Sequence, residues 1–378
     1  MLFRSGRGVV IGMMISAFVS VFMPLSCDGQ ILKDTTAMRL IRKGIDYTYN
    51  LQFSEAKKNA DEMIRLYPDH PVNHLIKGIL IYWENYPIIP NSSAGNSFEE
   101  TLQKCIVLCE ENKNTKREAE ILLANLSARG MLLLFYSDNN QTRKVIGLAS
   151  GTYRLIRRSF SYTSVSPDFY FFTGLYNYYR EVYPQFHPIY KPIASLFPRG
   201  NKEEGLKDLE ISAHKSLFLK ADSYSFLCWI YLNFEKDFPG SINYIKTLSE
   251  LYPANKSFSM TYLENLLKMK QYDQAEHLMQ SVTVNMKNPY MLAQIDIMNG
   301  MLQELKYRNY SQARADYNSG IIKLSDFGAY ANQFTAFGYY GISRICSAEG
   351  DQQGMRKNLR KAKDLSENEG IVSEKKHN

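Results

Sequence analysis

The residues that could do chemistry are few and far apart in this chain. Cys105 and Cys109 stand four apart, which on a helix puts two thiols on one face. Two positions make at most half of a zinc site, and no paired CxxC or nearby His completes it. His70 and His74 have the same spacing, with Asp69 beside them. Pro71 between them reads as a first-turn proline, so His70 falls at a cap and His74 inside the next helix, with no third ligand. His214 in EISAHKSL and His277 in AEHLMQ lie in helical stretches, and no Ser, Cys or Asp nearby suggests a triad. A Gly-rich phosphate loop, HExxH and GxSxG are all missing. We therefore expect no metal, no cofactor and no enzymatic activity.

Residues 169–190 hold ten aromatics in 22 positions, with Arg180, Glu181 and His187 interleaved and Lys191 following. Flat amphipathic rings can stack on a sugar face or grip a peptide, while Arg and His hold a carboxylate. This makes Tyr176, Tyr178, Tyr179, Arg180, Tyr183, His187 and Lys191 the candidate partner-binding residues. The alternative is packing. Phe169, Phe172, Tyr176, Tyr179 and Tyr183 share one helical stripe, and such a stripe commonly faces a core.

The elements that must position these residues are helical almost throughout. TLQKCIVLC (101–109), AEILLANLSARGMLLLFY (119–136) and SINYIKTLSELY (241–252) repeat apolar residues at helical spacing. No alternating run persists long enough to argue for a sheet. The helical stretches also repeat one another. Gly44, Tyr47, Ala56, Ala60 and Pro68 have the same offsets as Trp229, Leu232, Ser241, Ile245 and Pro253. Leu263, Leu266, Ala275 and Met279 match the first four terms, and Met301, Ala313 and Tyr317 match a subset. FSEA (53–56), YDQA (272–275) and YSQA (310–313) fall at one phase, and RLYP (65–68) and ELYP (250–253) at another.

With 34 residues from Ser241 to Ala275, this pattern resembles the tetratricopeptide-repeat superfamily, in particular an exported bacterial member. The resemblance implies an all-α, right-handed solenoid of helix hairpins over residues 30–365. Small residues belong where paired helices approach, which fits Gly44, Ala56, Ser241, Ala275 and Ala313. Phe53, Tyr272 and Tyr310 would plug the turn, and Pro at the repeat end stops the second helix. No single hairpin buries its apolar face alone, so neighbours must stack. The chain lacks the Asn-rich carboxylate clamp of some such domains: near Arg42 and Lys43 stand Ile45 and Tyr49.

Insertions interrupt the repeats at 84–97 and 180–200, the first rich in Pro, Ser, Asn and Gly and the second carrying four Pro. FFTGLYNYY, the Pro segment and LFPRGNKEEGLKDLE also resemble part of the eukaryotic tetratricopeptide proteins of the inclusion-body-clearance type. That likeness transfers no function, because those proteins are cytoplasmic or organelle-associated. The tail 366–378 is polar and is expected to fray.

Arg4 and Arg7 precede an uncharged run that reaches Cys27, the pattern of a secretory signal peptide over 1–29. Leu25-Ser26-Cys27 resembles the end of a bacterial lipobox, which would lipidate Cys27 and tether the protein to a membrane after a leader ending at 26. A third reading is an uncleaved anchor. Loss of 1–29 removes Arg4, Arg7 and Asp28 and lowers the net charge from +7 to +6. That charge is mild and spread out, so no nucleic-acid partner is expected. Cys105, Cys109, Cys228 and Cys346 are expected to be buried thiols.

The reading is therefore an exported, non-enzymatic scaffold at the periplasm or outer membrane, holding a protein or peptide in a concave groove. The alternative is a glycan- or small-ligand-binding surface lipoprotein using 169–190. Intact-mass analysis of protein from its native envelope separates the N-terminal readings. Cleavage gives a chain starting at Gln30, lipidation gives an acylated Cys27, and an intact Met1 sinks both.

Overall fold

The computed structural model describes residues 30–113, 116–186 and 191–366. Among them the fold is all-α, with no strand. The helices are α1 (Thr35–Tyr49), α2 (Phe53–Leu66), α3 (Val72–Glu84), α4 (Ser93–Glu111), α5 (Glu118–Asp138) and α6 (Thr142–Ser159). Then come α7 (Phe169–Phe186), the short α8 (Lys191–Ser195), α9 (Lys202–Lys215), α10 (Lys220–Ile230), α11 (Phe238–Leu251) and α12 (Lys256–Lys268). The chain ends through α13 (Tyr272–Thr283), α14 (Pro289–Leu305), α15 (Tyr310–Leu324), α16 (Asn332–Ala348) and α17 (Gln352–Leu365). The leader, Cys27, His187 and Tyr190 lie outside the described residues, as does the tail beyond Ser366.

Short polar side chains start many of these helices, by accepting from backbone N–H groups that the first turn leaves free. Asp34 accepts from Thr36 N at 2.7 Å and Ala37 N at 3.2 Å. Asn201, Asn255, Asn288 and Asn309 do the same for α9, α12, α14 and α15, and Asp351 does so for α17. Tyr67 of RLYP and Tyr252 of ELYP sit at the ends of α2 and α11, and both are buried. The Tyr67 hydroxyl donates to Asp34 and so ties the end of α2 to the start of α1.

Each helix packs chiefly on its neighbours in sequence. Small residues govern how close they come. Ala56, Ser241, Ala275 and Ala313 are all buried at such contacts. A Cβ on Gly44 would stand 2.7 Å from Asn59 Oδ1. Ser241 Oγ lies 2.9 Å from Cys228 O and 2.6 Å from Asn265 Oδ1, so its polar atom is satisfied in the core.

The tightest approach joins α7 and α9. A Cβ on Gly205 would lie 2.6 Å from Tyr178 N and 2.9 Å from Gly174 O, both backbone atoms that cannot swing aside. Farther along, the fully buried Tyr317 is held in a slot between Gly300 and Gly341. Its hydroxyl donates to Glu304 at 2.6 Å, and Arg344 grips the same carboxylate through Nε at 2.7 Å and Nη2 at 2.9 Å. Glu304 is buried with its hydrogen bonds filled, as a charge in a core must be, and Arg344 is half-buried beside it.

The helix α5 is long and apolar enough to cross a membrane by composition, but 61% of its apolar window is buried in the protein. It forms a core with α3 and α4 through Leu75, Phe98, Leu102, Ile121, Leu132 and Phe135. Gly130 on this helix has nothing within 4 Å of where a Cβ would be.

These geometries predict opposite effects for one substitution. Gly205→Ala must push apart two backbones and should destabilise by about 1–3 kcal/mol or more. Gly130→Ala should stabilise by about 0.5–1 kcal/mol, since only the entropy of the unfolded chain changes. Urea unfolding followed by circular dichroism reads both, and equal effects would contradict the close approach of α7 and α9.

Candidate functional site

Most of the aromatic segment 169–186 serves packing. Phe169, Phe171, Phe172 and Tyr178 are buried, and Val182 continues their face. Tyr178 donates to Glu235 Oε1 at 2.6 Å, and Lys202 Nζ holds Glu235 Oε2 at 2.6 Å. The buried face therefore runs through Gly174, Tyr178 and Val182, where α9 comes close. Of the expected stripe, Phe169 and Phe172 are buried and Tyr176 and Tyr179 half-buried, while Tyr183 is exposed and Tyr178 and Val182 turn inward where Gly205 lets α9 come close.

The polar candidates are turned onto the chain itself. Tyr176 donates to Pro198 O at 2.8 Å, and Arg180 Nη2 donates to Phe197 O at 2.9 Å. Both brace the 180–200 insertion. Tyr179 packs edge-on against Phe234 and Tyr178. Of this set, Tyr183 and Lys191 are exposed. Phe186 is exposed beside them, with its ring edge-on to Phe234. These placements leave no broad stacking platform among the described residues of 169–191.

The remaining sequence candidates are also separated. His70 and Glu120 are both buried, with Nε2 and Oε1 3.4 Å apart. His70 Nδ1 accepts from Val72 N at 3.1 Å, which leaves the ring proton on Nε2, facing the carboxylate. Glu120 Oε2 accepts from Leu32 N at 3.1 Å and so docks residues 30–33 on the body. His74 lies elsewhere on α3, and no group of three metal-ligating side chains occurs among the described residues. Cys105 and Cys109 face inward on α4. Contact with Cys105, aided by burial, pushes the Cys109 thiol far up, so it is inert as a nucleophile.

A different constellation comes from the 84–97 insertion. Its first turn carries Tyr86 across to the far end of the chain. There it meets Tyr290 of α14 at 6.2 Å and Tyr330 at 6.2 Å, ring centre to ring centre. Asn288 Nδ2 donates to Tyr86 O at 2.6 Å and fixes the crossing. Trp83 stacks on Tyr86 at 5.8 Å and meets Phe258 edge-on at 5.6 Å. Tyr82 lies between Tyr86 and Phe98. One hairpin back, Tyr49 stacks on Tyr252 at 5.1 Å and donates to Asp222 at 3.1 Å. Together these rings form a seam that joins α1 and α3 to α10–α12, α14 and the turn Ser325–Ala331.

Asp138 borders this seam. It is the last residue of α5, has an exposed side chain, and has no hydrogen bond or ion pair among the described residues. Its charge adds a little to the burial that raises the phenols of Tyr82, Tyr86, Tyr290 and Tyr330. Loss of hydration to the surrounding protein pushes its carboxyl up to about 6. The same burial pushes the four phenols up, so they remain hydroxyls. The Tyr330 ring meets those of Tyr86 at 6.2 Å and Tyr290 at 5.4 Å, both edge-on. Leu134, one turn before Asp138 on the same face, is exposed at 46%.

The rings pack mainly on one another, and no nucleophile paired with a base lies among them. The sequence reading missed it. The helical spacing of Tyr82 and Tyr86 was a local sign, but their partners lie some two hundred residues away. No protein-family model matches the chain, and no curated protein matches it.

Asp138 makes a pH prediction. Its folded pKa of about 6 lies above the ordinary 3.8, so the folded state holds its proton more tightly. The stability from this group is fully present below pH 3.8 and is lost as pH rises through about 6. Asp138→Asn should therefore melt higher than the parent at pH 7.5, with the gap closing towards pH 4. Asp222, also pushed up to about 6 by burial, remains in both proteins and cancels from the comparison. A gap that stays constant with pH would contradict the raised pKa.

Proposed function

We propose that this chain is an exported, non-enzymatic scaffold of the tetratricopeptide-repeat type. It is a right-handed solenoid of helix hairpins that binds a protein or peptide on its concave side, at the periplasm or outer membrane. The observation that carries the reading is the packing of consecutive helices through small residues at repeated phases: Gly44, Ala56, Ser241, Ala275 and Ala313. Such a stack supplies a rigid curved frame with little catalytic machinery. The export part rests on Arg4, Arg7 and the apolar run after them, and membrane tethering on Cys27.

The aromatic seam occupies part of the inner surface. Partner contact falls on the surface left open beside it, where Leu134 and Asp138 are exposed. An exposed Leu next to Tyr rings offers contact area at low entropy cost. The glycan-binding alternative loses support, since its proposed platform is mostly buried or braced against the chain.

Peptide display against the full chain tests this proposal. Selected peptides should bind the parent, lose about tenfold or more in affinity with Leu134→Arg, and bind Ile64→Arg unchanged. Ile64 is exposed on α2, outside the seam. Failure to select any peptide, or selection of peptides indifferent to position 134, would overturn it.

A further inference from the structure

Helix α6 carries Arg143, Lys144, Arg154, Arg157 and Arg158, and no Asp or Glu. Two of these cations are used inside the fold. Lys144 pairs with Glu99 at 2.6 Å, and Arg158 pairs with Glu118. Arg143, Arg154 and Arg157 are exposed and pair with no carboxylate among the described residues. With 3.6 residues per turn, Arg143, Ile146, Ser150, Arg154 and Arg157 fall on one stripe about 80° wide. It lies opposite Leu148, Thr152, Leu155 and Ser159, which turn inward. Ile146, among the arginines, is 68% exposed. On the flank of the stripe, Phe197 meets Tyr153 of α6 at 4.5 Å, ring centre to ring centre. That contact seats the 196–199 turn against α6 and brings up Leu196, 79% exposed, and the exposed Arg199.

The start of the described chain lies at one end of this stripe. Gln30 Nε2 donates to Lys116 O at 2.6 Å, and two residues farther on Glu118 holds Arg158 of α6. Lys33 and Lys116 are exposed there. Cys27 stands three residues before Gln30, and the apolar run ends at Leu25, five before it. Extended chain spans about 10 Å and about 17 Å over those lengths. A chain held in a membrane at either point keeps the Arg154–Arg157 end of α6 within reach of the headgroups.

We infer that the outer stripe of α6 is the surface this chain lays on an anionic bilayer. Arg143, Arg154 and Arg157 meet lipid phosphates, whose geometry suits a guanidinium fork. Ile146 and Leu196 settle between the headgroups. Exposed apolar residues among the cations favour a bilayer over a soluble polyanion, which offers no apolar phase. The inner face of α6 stays packed on α5 and α7, so the contact is peripheral. The inference goes beyond peptide binding and rests on the membrane-held readings of the N-terminus.

The test mixes the full chain with vesicles of phosphatidylglycerol and phosphatidylcholine whose acyl chains carry bromine, a quencher of tryptophan. Vesicles of brominated phosphatidylcholine alone are the neutral reference. Ser150 is exposed in mid-stripe, so Ser150→Trp places a reporter there, and Trp83 and Trp229 cancel in comparison with the parent. The added emission should be quenched on anionic vesicles, far less on neutral ones, and quenching should fade in about 0.5 M salt. The triple substitution Arg143→Gln, Arg154→Gln and Arg157→Gln should lose about half or more of it, since each cation contributes about fivefold at an anionic surface. All three side chains are exposed, so the variant should fold, and circular dichroism verifies this.

No quenching of the added tryptophan on anionic vesicles, or equal quenching in the triple variant, overturns the inference. So does binding of inorganic polyphosphate through these arginines without quenching on vesicles, which would make the partner a soluble polyanion. The membrane-held reading fails separately, through intact mass. A native chain that starts at Gln30 removes the tether, and the vesicles still decide the face.

Discussion

The close approach of successive helices is the constraint on which the molecule is built. A helix hairpin of this length cannot bury its apolar face by itself, so every pair depends on the next. The distance between neighbours is set by what stands at the point of contact. At Gly174 and Gly205 it is backbone against backbone. At Ala56, Ala275 and Ala313 it is a single methyl group, and at Ser241 a small hydroxyl already bonded within the core. Larger side chains at these points would separate the helices and uncover the apolar layers on either side. A bulky side chain fits where its neighbours have none, as Tyr317 does between Gly300 and Gly341.

Several carboxylates inside this stack are held by bonds from more than one helix. Asp168 is buried, and accepts from the backbone N–H groups of Leu217, Phe218 and Leu219 and from the Ser166 hydroxyl. Glu304 has Tyr317 and Arg344, and Glu235 has Tyr178 and Lys202. Each of these joins two or more helices, so its desolvation is offset by bonds that also set the packing. Asp138 joins nothing within the described chain.

Much of the local structure could be read in advance. Helical periodicity and the repeated small residues pointed to an all-α chain with contacts at Ala56, Ser241, Ala275 and Ala313, because both signals come from neighbours in sequence. The 169–190 segment was harder. Its composition allowed either a surface or a packed face, and Gly205, a single residue on another helix, turned Tyr178 inward. The seam lay beyond sequence reasoning altogether. YPIIPNSSAGNS has the makings of a loop, and nothing in it names Tyr290 or Tyr330 as neighbours of Tyr86. Long-range contacts of this kind leave no periodic trace. The lone charge of Asp138 shows only once its surroundings are known.

The seam also changes how such an array should come apart. In an open stack each hairpin touches only the next, so the ends fray first and stability adds up unit by unit. Here Tyr49 and Tyr86 clasp elements that lie two hundred residues farther along. The first hairpins cannot peel away without exposing rings from the middle and the end of the chain. A clasp of this kind turns a spring into a closed frame, in which neither end can yield before the other and the molecule lets go as one cooperative unit.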